Sequence, residues 1–376
     1  MISRHVLGLM KISIIGAGIM GLGCAWALER LGHQVTVFDQ GPIPNPLATS
    51  HDSHRLIRHA YGDRLGYMRM VADAYAIWDR LWADLGDRLY HETGTLVVGS
   101  DAGPWLRDSA AALAASGTPV EWLDPAALAR RFPLLETDTV EKAFYLPSGG
   151  VLLADRILES LARRLAARGV ELRPNTKVRA VDPDRGWVTL EDGAVIGADT
   201  VVVAAGAWIS RLLPELRHRV TPSRQIVAYV EPPAAHAAAW QAMPMLLDIQ
   251  GVSGFYAVPP VAGTGLKFGD HRFSLTGDPD ADRTAAEAEV AGLLADARHR
   301  LKDGQDYRVD RLKTCFYTVE PNERFIVEPI GLAGWAMSPC SGHGFKFGPL
   351  LGSAVAGAID SGETGDLVEW AAGEQK

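Results

Sequence analysis

The chain has 376 residues, of which 47% are hydrophobic and 22% are charged, a composition typical of a globular protein large enough for two domains. Its formal net charge of −8 gives no support to nucleic-acid binding, and no apolar run reaches the roughly 18 residues of a membrane span. Three cysteines do not make a disulfide framework, which favours a reducing, cytoplasmic compartment.

The first predicted elements lie within residues 11–39, where an apolar strand, a glycine turn, a helix and a second strand follow one another. The residues before this unit contain no small-residue cleavage site, so a secretory signal is not expected. Met10 is an alternative start, which would leave the first nine residues as a disordered arm.

Three glycines follow the first strand with the spacing of a dinucleotide-binding turn. Gly16 allows a sharp turn, Gly18 lets the backbone approach a pyrophosphate, and Gly21 lets the helix lie close to the sheet. Asp39 ends the second strand, where an acidic side chain binds a ribose. The pattern predicts a site for FAD or NAD rather than NADP, with a structural turn that binds no nucleotide as the alternative.

Residues 50–59 bring three histidines and two arginines close to the apolar pair Leu56 and Ile57. A solvated polar loop is the simpler interpretation. The apolar pair instead favours a strand or turn held against a core, and charges held there would need anionic partners.

Apolar periodicity predicts further helices, and Asp124 with Pro125 is typical of a helix cap and first turn. The periodic helices are expected at 67–85, 105–116, 155–168, 285–301 and 346–359. Short strands are expected at 90–99, 170–173, 177–181, 187–190, 195–196, 200–204, 225–230, 245–249, 255–258, 266–268, 312–317, 325–327 and 335–337. The wholly apolar strand at 200–204 should rejoin the first sheet, which would make the nucleotide-binding domain discontinuous.

Several separated motifs then form one pattern, namely GAGIMG, SHDSHRLIRHAYG, VVVAAGAW, GFYAVPP, GLKFGDH, LKTCFYT and SGHGFKFG. With these motifs the chain resembles the flavoprotein amine oxidases of the D-amino-acid oxidase superfamily, especially the monomeric sarcosine oxidase and N-methyltryptophan oxidase family. The resemblance spans essentially the whole chain. It implies an α/β (α+β) fold with a Rossmann-like FAD-binding domain (10–85, 150–215 and 320–376) and a substrate domain on a mixed, largely antiparallel sheet (86–149 and 216–319).

The resemblance also implies FAD as the cofactor, bound covalently through a thioether to Cys315. A buried strand cysteine is the alternative for Cys315; Cys24 is expected in the core, and no chemistry is assigned to Cys340. The residues implied to contact the cofactor are Gly16, Gly18, Met20, Gly21, Asp39, Ser50, His51, Arg55, Val178, Gly206, Cys315, Gly342, His343, Gly344 and Lys346. The chain departs from the family at His54, where a small hydroxyl residue is usual, and the loop around it needs a one-residue deletion.

Two cations, Arg58 and Lys346, match the pair that binds the substrate carboxylate in this family, and Lys267 matches a lysine that promotes reaction with oxygen. His271, Tyr256 and Tyr317 match residues that shape the amine pocket. The alternatives are a surface lysine at 267 and satisfied core residues at the other three positions.

The implied activity is oxidation of a secondary amine, an N-methyl or cyclic amino acid, by oxygen. The products would be hydrogen peroxide and an imine, which water would convert to aldehyde plus amine for N-methyl substrates. The alternatives are an FAD-dependent dehydrogenase with another acceptor, or a flavin-binding subunit of a larger complex. A nicotinamide dehydrogenase would leave SGHGFKF and KTCFYT unexplained. The expected partners are a small amine and oxygen, with no metal and a monomeric chain.

Overall fold

The computed structural model describes residues 8–99, 104–118, 120–250 and 253–374. Residues 1–7 of the predicted N-terminal arm lie outside the described residues. The strands, numbered in chain order, are β1 (Lys11–Ile15), β2 (Gln34–Phe38), β3 (Arg55–Ile57), β4 (Tyr90–Glu92), β5 (Thr95–Gly99), β6 (Glu121–Leu123), β7 (Lys142–Leu146), β8 (Gly150–Leu152), β9 (Glu171–Arg173), β10 (Val178–Asp182), β11 (Trp187–Leu190), β12 (Val195–Gly197), β13 (Thr200–Val203), β14 (Thr221–Glu231), β15 (Met245–Gln250), β16 (Ser253–Val258), β17 (Leu266–Asp270), β18 (Arg308–Val319), β19 (Ile326–Ile330) and β20 (Gly334–Ser338).

The helices connect these strands and cover their faces. They are α1 (Ile19–Arg30), α2 (Leu65–Leu85), α3 (Pro104–Ala115), α4 (Pro125–Arg131), α5 (Ala154–Ala167), α6 (Ile209–Leu212), α7 (Ala234–Trp240), α8 (Glu287–Arg300), α9 (Gly348–Ser361) and α10 (Leu367–Ala371). Within the described part of the chain, no helix is both long and apolar enough to span a membrane.

A six-stranded sheet in the order β19-β20-β13-β1-β2-β9 forms the first layer, and only its edge strand β19 runs antiparallel. In the middle, Ile14 pairs with Val37 on one side and Val202 on the other. These strands are almost wholly apolar because helices and neighbouring segments cover both faces of a parallel sheet. The expectation that strand 200–204 rejoins the first sheet is therefore confirmed.

Helices α1 and α9 pack closely against each other through glycine residues. A Cβ added to Gly352 would lie 2.5 Å from the backbone of Gly23 and Cys24, and one added to Gly23 would lie 2.9 Å from the Gly348 carbonyl oxygen. The glycines therefore permit backbone-to-backbone contact, which brings the start of α9 beside the start of α1.

The second large sheet has eight strands in the order β18-β14-β17-β16-β15-β5-β7-β6, and only the β15–β5 pair is parallel. A separate apolar core lies beneath it and includes Leu293, Leu294 and Ala297 of α8. This arrangement confirms the expected mixed, largely antiparallel sheet. The residue bounds of the two domains stay a prediction.

The structure corrects several predicted bounds. The single strand expected at 90–99 is two strands in different sheets, because Gly94 adopts a positive φ of 77° between them. The helix expected at 346–359 is α9, which begins at Gly348 after a 3-10 turn over Phe345–Phe347. The strands β6, β7 and β8 were not predicted, since each is short and lacks clear alternation of apolar and polar residues.

Candidate active site

A cavity of about 370 Å³ opens at the carboxyl ends of four neighbouring parallel strands. The strands are β1, β2, β13 and β20, and they contribute Gly16, Asp39, Gly206 and Cys340 to its lining from the loops that follow them. Ligands of open α/β sheets bind outside these ends, where the connections leave the sheet in opposite directions. The same cavity also reaches Tyr317 and Thr318 of the second sheet.

The glycine turn after β1 forms the cavity wall at the start of α1. Gly16 has a φ of 105°, and a Cβ there would lie 2.3 Å from the Ala204 carbonyl oxygen. The amide of Ile19 donates a hydrogen bond to Ser50 Oγ at 3.0 Å. The helix therefore points its positive N-terminal end at the cavity, which favours an anionic group such as a phosphate.

We expect Gly21→Ala to destabilise this turn, because the new Cβ would lie only 1.9 Å from the Gly16 carbonyl oxygen. Backbone must move to relieve such a contact, so the free energy of unfolding should fall by about 3 kcal/mol or more, and flavin content should fall with it. Thermal unfolding and flavin absorbance per chain measure both effects.

The matched control is Gly357→Ala, since Gly357 is exposed in α9 and has no atom within 4 Å of an added Cβ. Alanine should raise stability there by about 1 kcal/mol or less. An equal change in the free energy of unfolding for Gly21→Ala and Gly357→Ala would contradict the close packing of Gly21 on the turn.

Asp39 is buried beside the turn and already has three hydrogen-bond donors. Its carboxylate accepts from the amides of Ala17 and Gly41, both at 2.9 Å, and from Asn45 Nδ2 at 2.8 Å. A carboxylate has about four acceptor positions, so one remains for a hydroxyl in the cavity. This capacity is what the predicted ribose contact requires.

Residues 50–59 are buried or half-buried rather than solvated, and Asp52 supplies the anion that the charge of Arg55 needs. Arg55 donates hydrogen bonds to Asp52 and to the carbonyl oxygens of Thr49 at 2.6 Å and His54 at 3.1 Å. The sequence analysis missed Asp52. The signal was present, because buried charges need opposite charges and Asp52 is the one acidic residue of this stretch.

Lys267 lies in the same network and is only 2% exposed, so the surface-lysine alternative is wrong. Its Nζ donates to Asp52 Oδ2 at 3.1 Å and to the His54 carbonyl oxygen at 2.7 Å. Burial lowers the pKa of Lys267 to about 8, while the charge of Asp52 opposes that change and the charge of Arg55 adds to it. Lys267 therefore titrates near neutral pH.

Cys315 is buried in β18, two residues before Tyr317, so the two side chains project from the same face of the strand. Tyr317 lines the cavity, and the charge of Arg55, another lining residue, acts on both side chains. Burial raises the pKa of the Cys315 thiol to about 11, and Arg55 partly opposes it. Cys24, Cys315 and Cys340 are all free, and Cys24 is buried in α1 as expected for a core residue.

Arg58 and Lys346 lie close together, and both contact the aromatic ring of Tyr61. The Arg58 guanidinium carbon is 4.7 Å from the Tyr61 ring centroid and 5.5 Å from that of Trp105. Lys346 Nζ donates to the Tyr61 hydroxyl at 2.9 Å and to the His343 carbonyl oxygen at 2.8 Å. Among the described residues, neither cation forms an ion pair.

Burial, together with the charge of Arg58, holds the pKa of Lys346 well below its usual range. Glu323 is an acidic side chain whose charge acts on Arg58, and it is itself paired with Arg64 at 3.1 Å. Two adjacent cations without a carboxylate of their own form a site for an external anion.

His343 contacts the hydroxyl of Tyr61, the aromatic residue beside both cations. Its Nδ1 lies 3.2 Å from the Tyr61 hydroxyl and its Nε2 lies 3.1 Å from the Glu323 carbonyl oxygen. Burial holds the pKa of His343 well below its usual value, so the ring is neutral. The carbonyl can only accept, so Nε2 must donate, and Nδ1 accepts from Tyr61.

Of the three predicted pocket residues, His271 lies near Arg58, whereas Tyr256 and Tyr317 lie near Arg55. His271 is close enough to Arg58 for that charge to act on it, although burial is the main reason that its pKa is lowered. The ring of Tyr317 lies 3.0 Å from where a Cβ of Gly342 would be. Tyr256 lies over Gly269 of the adjacent strand, and burial raises its pKa above the usual range.

The cavity thus brings together many, but not all, of the predicted cofactor residues. Those that line it are Gly16, Gly18, Met20, Asp39, Ser50, Arg55, Val178, Gly206, Gly342 and Gly344. Gly21, His51, Cys315, His343 and Lys346 lie outside its lining. His51 instead places Nδ1 3.2 Å from Lys313 Nζ, and Lys346 follows the lining residue Phe345.

An extended dinucleotide such as FAD fits this arrangement. The glycine turn leaves room that a Cβ would fill, Asp39 keeps an acceptor position, and one cavity joins the nucleotide end at Gly16 to Gly342 and Gly344. No cluster of residues suited to a metal ion occurs in the described ranges.

Known proteins with similar sequences and structures cover almost the whole chain. Monomeric sarcosine oxidase of Bacillus sp. (strain NS-129) is 26% identical over 361 residues, 94% of this chain and 93% of that protein. N-methyl-L-tryptophan oxidase of Yersinia pestis (strain Pestoides F) is 28% identical over 353 residues, 91% of this chain and 93% of the relative. The L-proline dehydrogenase of P. horikoshii has a similar fold, with a TM-score of 0.82, 20% identity and 97% coverage of both chains.

The sequence model of the FAD-dependent oxidoreductase family DAO matches residues 11–358. This match includes the glycine turn, the charged segment around Asp52 and most of α9. Since it spans most of the chain, the protein belongs to the FAD-dependent oxidoreductase family.

Proposed function

We propose that the protein is a flavin-dependent oxidase of a secondary amine that bears a carboxylate, an N-methyl or cyclic amino acid. The products would be an imine and hydrogen peroxide, with oxygen as the electron acceptor. The single observation that supports this substrate class best is the buried pair Arg58 and Lys346, which forms no ion pair within the described residues. The two curated relatives are named for sarcosine and N-methyl-L-tryptophan, both secondary amines with a carboxylate.

The proposed roles at the cofactor follow from the lining of the cavity. The turn at Gly16 and Gly18 and the start of α1 would hold the pyrophosphate of FAD, and Asp39 would accept a hydrogen bond from its ribose. Gly342 and Gly344 would let the backbone approach the flavin ring. Cys315 would attach the cofactor covalently, since it projects from the face of β18 that bears the lining residue Tyr317.

Bound FAD supplies the redox chemistry, accepting a hydride equivalent from the substrate and passing the electrons to oxygen. Arg58 and Lys346 would orient the substrate by its carboxylate. Binding that carboxylate would raise the pKa of Lys346 again, because a buried cation gains a counter-ion. Tyr256, Tyr317 and His271 would exclude water from the amine. The positive charge of Lys267 would favour negative charge that develops on oxygen.

We expect the purified protein to release peroxide with carboxylate-bearing secondary amines and far less with amines that lack the carboxylate. A panel of N-methyl and cyclic amino acids, each paired with its decarboxylated counterpart, tests this by peroxide yield and oxygen uptake. Amine oxidation that requires an artificial electron acceptor and consumes no oxygen would identify a dehydrogenase. Flavin that no amine in the panel reduces would favour a non-catalytic flavin-binding subunit.

A further inference from the structure

Asp52 has no role in the proposed function, yet it is the centre of the buried network beside the cavity. It is 2% exposed, and its Oδ1 accepts from the Tyr229 hydroxyl at 2.5 Å. Its Oδ2 accepts from Lys267 Nζ at 3.1 Å and from the Arg55 guanidinium. One carboxylate therefore holds three side-chain donors, which come from β3, β14 and β17, in addition to the amide of Ser53, and Arg55 is the side chain that lines the cavity.

The charges around Lys267 explain why the carboxylate of Asp52 is needed to keep that lysine protonated. Asp52 is the carboxylate that faces the ammonium group, and Arg55 is a second cation beside it. Three other titratable groups lie in this region. His54, just before β3, is neutral because burial lowers its pKa to about 3. Cys315 on β18 is close enough to act on Lys267, and Tyr229 on β14 contacts Asp52. Without Asp52, two adjacent buried cations would repel each other without a counter-ion, and the amine would lose its proton.

We propose that Asp52 is the positioning residue of Lys267: it keeps the Nζ of Lys267 charged and holds it beside Arg55, whose side chain lines the cavity. The hydrogen bonds of Lys267 to Asp52 and to the His54 carbonyl oxygen leave its Nζ few other orientations. The Tyr229 hydroxyl fixes the other oxygen of the carboxylate, so the carboxylate cannot rotate away. This inference rests on the proposed function only for the step in which the charge of Lys267 promotes the reaction with oxygen.

The first test measures the protonation of Lys267 directly in the flavin-loaded protein. Lysine labelled at Cε with an NMR-active carbon is titrated, and the Lys267 signal is assigned by its absence from Lys267→Met. We expect a midpoint near pH 8 in the wild type, as the pKa of Lys267 indicates. Asp52→Asn should lower that midpoint by at least about one pH unit, a tenfold loss of proton affinity, and Asp52→Glu should restore most of it.

The second test follows the flavin after it has been reduced with light or dithionite, so no amine is needed. Two electrons and two protons then pass from the reduced cofactor to oxygen and give hydrogen peroxide. The rate should be high while Lys267 is protonated and should fall as pH rises through its pKa. In Asp52→Asn this fall should move to lower pH by the same amount as the NMR midpoint, with roughly a fivefold lower rate at pH 8 for a shift of one pH unit.

The matched control is Asp248→Asn, which removes another buried carboxylate, one that is paired with Arg300 at 2.7 Å and does not line the cavity. It should destabilise the protein without moving the Lys267 midpoint. The double variant Asp52→Asn with Lys267→Met should react with oxygen no more slowly than Lys267→Met alone, because Asp52 acts through Lys267.

An unchanged Lys267 midpoint in Asp52→Asn would overturn the proposal. If Asp52→Asn does not fold, a wild-type midpoint below about pH 6 overturns it as well, since Asp52 would then fail to keep Lys267 charged. A wild-type flavin that reacts slowly with oxygen at every pH would contradict the oxidase function. The NMR result would stand independently of that outcome.

Discussion

We expect Cys315→Ser to lose covalently bound flavin completely, so that acid precipitation leaves a colourless pellet and a yellow supernatant. In the wild type the colour should stay in the pellet. The physical reason is that a serine hydroxyl cannot replace the thiolate as the attacking group. Burial raises the pKa of the Cys315 thiol to about 11, and the neighbouring charges of Arg55 and Lys313 work against that rise. These two cations are therefore the groups that would stabilise a thiolate there.

The matched controls are the other two cysteines. Cys340 lines the cavity and also lies near Cys315, so Cys340→Ser tests whether a second thiol at the site could serve instead. Cys24 is buried in α1, and Cys24→Ser tests the general effect of the substitution on a buried thiol. If the Cys315→Ser pellet stays yellow and the Cys340→Ser pellet becomes colourless, the flavin is attached to Cys340. Wild-type colour in the supernatant would mean that no covalent bond exists.

The second large effect is expected at Arg58 and Lys346, neither of which forms an ion pair with the residues that the structure describes. Arg58→Ala and Lys346→Ala should each lower kcat/KM for a carboxylate-bearing amine by about a hundredfold, equivalent to about 3 kcal/mol for one lost charged contact in a buried site. For the decarboxylated counterpart of the same amine, neither substitution should matter by more than about threefold. Steady-state kinetics with both substrates separates loss of the carboxylate contact from general damage.

Arg64→Ala is the control for removing positive charge nearby, because Arg64 is paired with Glu323 and its side chain is 38% exposed. It should leave kcat/KM close to the wild-type value. Arg58→Lys should recover part of the loss, since it restores the charge but not the planar fork of the guanidinium. Equal losses with and without the substrate carboxylate in Arg58→Ala would refute the proposed carboxylate site.

Local patterns along the chain predicted the first nucleotide-binding unit well. The strand at β1, the turn at Gly16, the helix α1 and Asp39 all stand where the glycine spacing indicated. Such a unit is short, and its glycines are required by backbone geometry that neighbours in sequence impose. The rejoining strand β13 was also predictable, because a continuous apolar run suits a central parallel strand.

Burial of charged side chains was much less predictable. On composition alone Lys267 would be a surface residue, yet it is enclosed by Asp52 and the His54 carbonyl oxygen, far from it in sequence. His54 has a buried Nδ1 without a hydrogen-bond partner in the described structure, at the position where the chain departs from its family. The family resemblance drew attention to Lys267 and His54, but it did not indicate that the carboxylate of Asp52 lies between Arg55 and Lys267.

The sequence by itself therefore determined the order of elements, the nucleotide-binding turn and the candidate cations, because each depends on neighbours within a few residues or on a recognisable motif. Only the tertiary structure decided that Asp52 contacts Arg55, Tyr229 and Lys267, and that Arg58 and Lys346 lie together with no carboxylate paired to either in the described part of the chain. The reason is that the energy of a buried charge depends on which groups meet it in space, and Tyr229 and Lys267 are 177 and 215 residues from Asp52 in the sequence.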